Sequence, residues 1–288
     1  MSAGVSTSAV FAQEAKSVFT HKFGAVELSV LSEGEQRRNA DILIGATPEM
    51  LQKTIPEGTF LMATNAFLVR SAGKNILIDG GYGRKLLDNL QSLGVSAEQI
   101  DAILITHLHG DHIGGLVRDG KASFPNATLY LSQAEHDGWL SDEVISATPE
   151  NQRGRFKAAQ AAVNAYKNRL RLFTPDEVGA KAHALLPNIQ GIAAYGHTTG
   201  HTMYMLGEAG QQVLVVGDLL HVMPVQSRYP QFAVSFDANA NDAVAVRKKI
   251  WEYVSQNNIP IAGSHVAYPS IGYLKVATEG GYTFTPLR

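Results

Sequence analysis

Apolar runs of strand length alternate with longer stretches of helical periodicity along this chain. The strand-like runs lie at residues 25–34, 59–81, 102–106, 127–132, 191–197, 202–208, 211–218, 259–262 and 282–285. The run at 59–81 contains the turn-favouring pair Ala72-Gly73, which predicts two strands joined by a turn. Polar and apolar positions alternate imperfectly within these runs, as expected for strands covered on both faces. The pattern therefore predicts an α/β protein.

Helical periodicity marks the intervening segments. Helices are predicted over residues 84–93, 133–140, 148–173 and 239–258. The third is expected to begin with Thr148 as the cap and Pro149 in the first position. Its buried face is predicted to consist of Phe156, Ala159, Val163, Tyr166 and Leu170. A short helical turn is also predicted where Ser96 and Gln99 form a capping-box pattern.

The domain organisation follows from the absence of any low-complexity linker after the first residues. We expect a single domain over residues 17–288, in which strands and helices alternate in two successive halves. Residues 1–16 are expected to be a disordered leader or a signal-peptide remnant. Val10-Phe11-Ala12 followed by Gln13 is typical of the end of a cleavage site, but a basic start and an apolar stretch are missing. A periplasmic or secreted location and a cytoplasmic one both stay open.

Composition excludes several classes of function. The 24 basic and 26 acidic residues give a net charge of −2 and leave no basic stripe, so nucleic acid is not expected as a partner. No apolar run reaches the ~18 residues of a transmembrane helix, so no membrane partner is expected. The chain has no cysteine, which excludes disulfides, thiolate metal sites and a thiol nucleophile. Any metal site must therefore use histidine and carboxylate ligands.

The segment "THLHGDHIGG" at residues 106–115 is the densest group of such ligands. Side chains of an extended segment repeat every second position, so His107 and His109 point the same way and can meet one ion. Asp111 and His112 lie beyond the bend at Gly110 and can face a neighbouring ion. The motif therefore predicts two metal ions.

Three further candidate ligands each follow an apolar run. They are His197 in "YGHTTGHT", Asp218 at the end of "VLVVGD" and His265 in "IAGSHVAYP". Nitrogen and oxygen ligands without sulfur suit zinc in a catalytic site. His201 is expected to be a structural hydrogen-bonding residue. The remaining histidines with no strand-end context, which we expect to be solvated or core residues, are His21, His136 and His183.

The motifs "THLHGDHIGG", "GHTTGH", "GDLLH" and "GSH" resemble those of the metallo-β-lactamase-fold hydrolases, over about Phe60 to His265. The resemblance implies a four-layered αββα sandwich with a two-metal site at one edge of the sheets. It implies two Zn²⁺ ions, with Mn, Co or Fe as alternatives. Asp218 would bridge the ions, and Asp79 in "ILIDGG" would orient a ligand imidazole. The implied ligands are His107, His109 and His197 for the first ion and Asp111, His112 and His265 for the second.

Such a site implies hydrolysis. Two zinc ions ~3.5 to 4 Å apart activate a shared water and polarise a substrate oxygen. Asp111 is expected to hold the attacking group and then to pass a proton to the leaving group, which makes it the catalytic residue. The expected partner is a small-molecule substrate, and because relatives are often homodimers, a homodimer is a further expectation.

The resemblance is strongest to the quorum-quenching acyl-homoserine lactonases and to the methyl-parathion-hydrolase-like phosphotriesterases. The lactonases place a tyrosine where this chain has His221. Trp139 and Phe156 fall where the phosphotriesterase group carries pocket aromatics, so these two rings and His221 are expected to line the substrate pocket, with core packing as the alternative for the rings. A β-lactamase is disfavoured because such enzymes normally lack the carboxylate at Asp218. A persulfide dioxygenase with one iron stays open, as does a metal-binding scaffold without activity, whereas a di-iron flavoprotein would need a further domain.

Overall fold

Seventeen strands are present in the computed structural model, which describes residues 17–181 and 183–288. The predicted leader at residues 1–16 lies outside the described residues. In chain order the strands are β1 Val18–Phe23, β2 Val26–Asn39, β3 Leu43–Ile44, β4 Thr59–Ser71, β5 Lys74–Ile78, β6 Ala102–Leu104, β7 Val117–Arg118, β8 Lys121–Ala122, β9 Thr128–Ser132, β10 Leu170–Phe173, β11 Ile189–Ala193, β12 Thr202–Leu206, β13 Val213–Val215, β14 Ala233–Val234, β15 Ile261–Ala262, β16 Ile271–Val276 and β17 Tyr282–Pro286.

Eight α-helices and five short 3₁₀ turns connect the strands in the described part of the chain. The helices are α1 Pro48–Thr54, α2 Leu86–Ser92, α3 Gly110–Ile113, α4 Gln133–Leu140, α5 Asp142–Ala147, α6 Gly154–Ala165, α7 Met223–Arg228 and α8 Ala240–Gln256. The 3₁₀ turns are Ala40–Ile42, Ala97–Gln99, Gly114–Leu116, Glu150–Gln152 and Lys167–Arg169. Among the residues described, no helix combines the length and the apolar character needed to cross a bilayer.

Two large sheets form the centre of the molecule. The first has the strand order β1-β2-β4-β5-β6-β9-β10, and the second has the order β11-β12-β13-β15-β16-β17. A cluster of buried side chains from both sheets, including Phe67 and Ile78 from the first and Tyr204 and Val215 from the second, fills the space between them. Burying one face of each sheet against the other is the main source of hydrophobic stabilisation in such a sandwich.

Helices cover the outer face of each sheet. Side chains of α2, α4 and α6 pack with Leu68 and Leu129 of the first sheet, and α8 packs Ile250 and Trp251 onto the second. The layers are therefore helix, sheet, sheet and helix, which confirms the predicted αββα sandwich.

The segment predicted as one helix over residues 148–173 is divided, and this part of the prediction was wrong. Thr148 is extended, with ψ of 137°, and its hydroxyl donates to the carbonyl of Val144, so it closes α5. Pro149 is extended as well, with ψ of 140°, so it does not occupy the first position of a helix. The helix begins at Gly154, and Leu170–Phe173 instead forms β10 at the edge of the first sheet, parallel to β9.

The strand directions bring several carboxyl ends to one edge of the sandwich. In the first sheet β5 and β6 are parallel, and in the second sheet β13 and β15 are parallel. Because β12 is antiparallel to both β11 and β13, β11 also ends at that edge. Loops at the carboxyl ends of strands are where ligands bind in open α/β sheets.

Candidate metal centre

The loops after β5 and β6 supply the first half of the site. Asp79 follows β5, and His107 and His109 follow β6. Asp111 and His112 lie on the single-turn helix α3.

Paired glycines hold these two loops together. The amide of Gly80 donates to the carbonyl of His112 at 2.6 Å. A Cβ added to Gly115 would lie 2.3 Å from the carbonyl oxygen of Gly80, which is too close for any side chain. The glycines of "IDGG" and "HIGG" therefore allow the loop that bears Asp79 to lie directly against the loop that bears His112.

The second sheet supplies the other half of the site. His197, Asp218 and His265 follow β11, β13 and β15 respectively, and all three are buried. The structure thus brings together all seven side chains that the sequence singled out as candidate ligands.

Three imidazoles form one group of potential ligand atoms. Nδ1 of His109 lies 2.8 Å from Nε2 of His107 and 3.0 Å from Nε2 of His197. Oδ2 of Asp218 lies 3.2 Å from Nε2 of His197 and 3.5 Å from Nε2 of His107. These four side chains can each offer one atom to a single ion, because the atoms lie within 4.8 Å of one another.

A second group lies on the other side of Asp218. Its Oδ1 atom is 3.0 Å from Nε2 of His112 and 3.2 Å from Nε2 of His265. Oδ2 of Asp111 lies 3.5 Å from Nε2 of His265, and Oδ1 of Asp111 lies 3.9 Å from Nε2 of His112. Oδ1 therefore faces the second group, while Oδ2 faces the first group and also lies 3.3 Å from Nε2 of His265, so the carboxylate lies between the two groups as a bridging ligand would.

The outer nitrogens of three imidazoles have acceptors that fix the tautomers. Nδ1 of His112 lies 2.7 Å from Oδ2 of Asp79, and Nδ1 of His265 lies 2.9 Å from the carbonyl oxygen of Ala63. Because these oxygens can only accept, each Nδ1 must donate, and in the neutral ring each Nε2 directs a lone pair into the site. Burial opposes charge on both rings, but the nearby Asp218 outweighs it and raises the pKa of His112 and His265, so a bound ion must displace a proton from each.

His197 is held in the same way by Asp237, whose Oδ1 atom lies 2.9 Å from its Nδ1 atom. Asp237 was not singled out in the sequence, because an aspartate in the loop after β14 carries no motif of its own. Its other oxygen accepts the amide of Val234 at 2.9 Å and lies 4.0 Å from the buried guanidinium of Arg247. These contacts fix Asp237, and Asp237 in turn orients His197.

The donor atoms fit divalent metal ions. Nε2 of His112 and Oδ1 of Asp218 are buried and face each other at 3.0 Å, and neither forms a hydrogen bond among the described residues. Leaving such atoms unpaired is costly, whereas cations between them would satisfy both. Neutral imidazole and carboxylate ligands without sulfur suit zinc and also accept manganese, cobalt or iron.

The pKa values of His109 and His197 are shifted in opposite directions. Burial and the neighbouring His197 lower the pKa of His109 to about 3. Burial also opposes charge on His197, but hydrogen bonds to Asp218 and Asp237 outweigh it and raise its pKa to about 9. A metal ion that binds at this group must therefore displace a proton from His197.

His201 lies behind the site and makes two hydrogen bonds to the backbone. Its Nδ1 atom donates to the carbonyl of Ala194 at 3.1 Å, and its Nε2 atom accepts the amide of Asp218 at 3.0 Å. The prediction of a structural hydrogen-bonding role is confirmed.

His221 lies on the wall of the cavity above the site. Its Nε2 atom donates to Oδ2 of Asp218 at 3.0 Å, and its ring stacks on that of His265 at 4.9 Å. Burial lowers the pKa of His221 to about 4, so the ring is neutral near pH 7. A neutral imidazole that touches Asp218 has replaced the tyrosine expected from the lactonases.

The two predicted pocket aromatics occupy a different position from the one expected. Trp139 and Phe156 are 6% and 3% exposed, belong to the helix-covered core and do not line the cavity. The Trp139 ring lies edge-on to that of His109 at a centroid distance of 5.4 Å. The two rings lie behind the site, because their positions on the helices direct them towards the first sheet.

We therefore expect the substitution Trp139→Ala to act mainly on stability. Removing a buried tryptophan leaves a cavity, so the free energy of unfolding should fall by about 3 to 5 kcal/mol. Urea denaturation of the variant and the parent protein measures this change. Unaltered stability combined with a selective loss of activity on long-chain substrates would indicate that Trp139 lines the substrate pocket.

Glu135 is a buried residue of the site that was not predicted from the sequence, since the segment around it shows only a helical pattern. It is fully buried, and its Oε1 atom accepts the amide of Leu108, between His107 and His109, at 2.9 Å. Its Oε2 atom accepts the hydroxyl of Thr198 at 2.7 Å and the amide of Gly200 at 2.9 Å. Glu135 therefore joins the loop of the first two histidines to the loop that follows His197.

The substitution Glu135→Gln should weaken metal binding. The NH₂ group of the glutamine side chain faces donors that were bonded to one oxygen of the carboxylate. The hydrogen bonds on that side are therefore lost, and the two loops are no longer held in a fixed position relative to each other. The affinity for zinc should fall by about 10- to 100-fold, as measured by competition with a chromogenic chelator. Glu143→Gln, at an exposed position of α5, is the matched control. Equal affinities for all three proteins would show that Glu135 does not position the ligands.

A cavity of about 710 Å³ opens directly above the two groups of ligand atoms. Asp111, Asp218 and His265 form part of its floor. Apolar side chains on its walls include Ile42, Met62 and Phe236, and its charged side chains outside the ligand set are Arg37, Arg38, Arg155 and Asp41. A substrate of moderate size can therefore reach the ligand atoms.

Comparison with known proteins places these features in context. Residues 60–256 match the model of the metallo-beta-lactamase superfamily. The structure of AbOPH, described as a hydrolase in the beta-lactamase superfamily, is 29% identical, superposes with a TM-score of 0.85 and covers 96% of this chain and 99% of its own.

A second similar structure is AidC, described as a dizinc quorum-quenching lactonase in complex with a product, N-hexanoyl-L-homoserine. It is 27% identical, has a TM-score of 0.82 and covers 94% of this chain and 97% of its own. Among curated sequences, the anti-Pycsar protein Apyc1 of Saccharibacillus brassicae is 45% identical over 56 residues, which are 19% of this chain and 22% of that protein. The chain thus spans under a quarter of the length of this relative.

Proposed function

Because the chain belongs to the metallo-beta-lactamase superfamily, we propose that this metal-dependent hydrolase uses two divalent ions, zinc in the first place, to cleave lactone, ester or phosphotriester bonds of hydrophobic small molecules. The natural substrate carries a neutral ester-like bond next to an apolar group. Lactones and aryl esters are the principal candidates, and phosphotriesters are a secondary one.

The position of Asp218 is the observation that carries this proposal. Its two oxygens face two separate groups of imidazole nitrogens at 3.0 to 3.5 Å. A site for a single ion needs no carboxylate between two such groups. The arrangement therefore supports a dinuclear centre over the one-iron alternative.

In this proposal each ion is held by three side chains and by Asp218. His107, His109 and His197 would hold the first ion, and Asp111, His112 and His265 would hold the second. Bound divalent ions lower the pKa of a water towards neutrality and polarise a carbonyl or phosphoryl oxygen.

Asp111 is the more exposed carboxylate of the ligand set on the cavity floor, with 22% of its side chain exposed against 2% for Asp218. One oxygen can serve as a ligand while the other accepts the proton that the attacking water loses. We assign it the transfer of that proton to the leaving group, since it lies where the substrate meets the ligand atoms.

The walls of the cavity support an apolar substrate. Ile42, Met62 and Phe236 offer surface for an acyl chain or an aryl group, and 51% of Phe236 is exposed. The two similar structures, AbOPH and AidC, support the hydrolase and lactonase types respectively.

A parallel activity screen of the zinc-loaded protein tests the proposal. The panel contains acyl-homoserine lactones, 4-nitrophenyl esters, aryl phosphotriesters and a chromogenic cephalosporin, and elemental analysis of the same sample should find close to two equivalents of metal. Turnover of lactones or esters is the expected result. Full activity with one equivalent of metal would contradict the dinuclear centre, and cephalosporin turnover alone would contradict the substrate class.

A further inference from the structure

Arg155 is a charged side chain of the cavity wall that the proposed hydrolysis does not use. It lies at the start of α6, is exposed and lines the cavity. Among the described side chains, which do not include that of residue 152, it takes part in no ion pair and no hydrogen bond, whereas Arg37 of the same cavity is paired with Glu57 at 3.2 Å. The charge of Arg155 is thus available to a ligand.

The two buried aromatic rings hold this guanidinium in place. Its central carbon lies 4.9 Å from the centroid of the Phe156 ring and 5.6 Å from that of Trp139. A guanidinium over aromatic faces is attracted by their negative π surfaces, so its position is fixed without neutralising its charge. Trp139 also contacts the ring of His109, so Trp139 connects the guanidinium to one of the candidate ligands.

The charge balance of the cavity favours an anion. Arg38 is a second guanidinium of the wall without an ion pair in the described part of the chain, and Asp41 is the one wall carboxylate outside the ligand set. Asp111 and Asp218 would be more than balanced by two divalent ions. The cavity wall therefore combines apolar side chains with an excess of positive charge, to which Arg155 contributes.

We propose that Arg155 forms a subsite for an anionic group, a carboxylate or a phosphate, on the part of the substrate away from the bond that is cleaved. This inference rests on the proposed hydrolase function and narrows its substrate class to esters or lactones whose apolar arm ends in an anion. Trp139 and Phe156 position Arg155 and do not themselves touch the substrate.

Matched substrates test the subsite. The mono-4-nitrophenyl ester of suberic acid ends in a free carboxylate, and its methyl-capped diester has the same chain without the charge. The zinc-loaded protein should favour the free acid in kcat/KM by about five- to tenfold, as expected for one charge-assisted contact that is partly exposed to solvent. An ester of 8-phosphono-octanoic acid distinguishes a preference for a phosphate-like group from one for a carboxylate.

Variants assign the preference to Arg155. Arg155→Gln should abolish it, and Arg155→Lys should restore part of it. Arg171→Gln, which removes an exposed arginine of β10 outside the cavity wall, should leave it unchanged. A parent protein that hydrolyses both esters equally well, or a preference that survives in Arg155→Gln, would overturn the subsite.

Binding without turnover separates this inference from the proposed function. Calorimetric titration of the zinc-loaded protein with suberate and with monomethyl suberate should show tighter binding of the dianion by about five- to tenfold in the parent. The two ligands should bind equally to Arg155→Gln. If no ester or lactone is hydrolysed but this difference is found, the proposed reaction fails and the anion subsite stands. Equal binding of both ligands to the parent refutes the subsite whatever the enzyme hydrolyses.

Discussion

Replacing Asp218 by alanine should lower kcat/KM by about 10³-fold or more and reduce the metal content of the protein. Asp218 presents one oxygen to each group of imidazoles, at 3.0 Å from His112 and 3.2 Å from His197. In the proposed dinuclear centre, its loss would remove a ligand from both ions and the charge between them. Metal ions contribute several kcal/mol of transition-state stabilisation, and each 1.36 kcal/mol corresponds to a factor of ten in rate.

The measurement combines steady-state kinetics with elemental analysis of Asp218→Ala. Asp88→Ala is the matched control, because Asp88 is exposed on α2 and lies outside the cavity wall. Circular dichroism of both variants shows whether the fold is kept. If Asp218→Ala retained two equivalents of metal and near-normal turnover, Asp218 would not be the bridge.

Removing the metal with a chelator should abolish hydrolysis and lower the unfolding temperature by about 5 to 10 °C. An ion present at 100 times its dissociation constant stabilises the native state by about 2.7 kcal/mol, and 1 kcal/mol corresponds to roughly 2 to 4 °C in a domain of this size. The buried Nε2 of His112 and Oδ1 of Asp218 form no hydrogen bond in the described structure and are left only with their mutual contact at 3.0 Å, so removing the ions lowers stability.

Differential scanning calorimetry before and after dialysis against the chelator measures the shift, and added zinc should restore both stability and turnover. Uptake of zinc should also release protons, because the pKa of His197 without metal is about 9. Activity that persists once elemental analysis shows the metal to be gone would contradict a metal-dependent reaction.

The candidate ligands could be predicted from the sequence because they lie either in one dense motif after β6 or in the loops that follow other strands. The period of two placed His107 and His109 on one side, and apolar runs before His197 and Asp218 placed these at strand ends. Parallel strands bring such positions to one edge of each sheet, and the packing of the two sheets then brings both sets together.

Residues that act through contacts between distant segments could not be predicted. Glu135 joins Leu108 to Thr198, and Asp237 orients His197 from 40 residues away, yet neither carries a local pattern. The direction of Trp139 was also undetermined, since a helix with aromatic residues on its buried face shows the same spacing whether that face meets a core or a pocket.

The division at residue 148 shows a different limit. A Thr-Pro pair is typical of the start of a helix, but it also ends a preceding one, and the hydroxyl of Thr148 is used for the latter. Local propensity cannot decide between the two outcomes, because the Thr-Pro pair is compatible with both.

The ligands come from both halves of the sandwich, and this has a consequence for the order of folding. His107 and His265 are separated by more than half of the chain, and their loops belong to different sheets. Contacts across such separations form late, since the loop between them must first be closed. The ion therefore meets a complete set of ligands only after the sheets have docked. We expect zinc to leave the refolding rate almost unchanged and to slow unfolding, so that bound metal delays the separation of the two sheets.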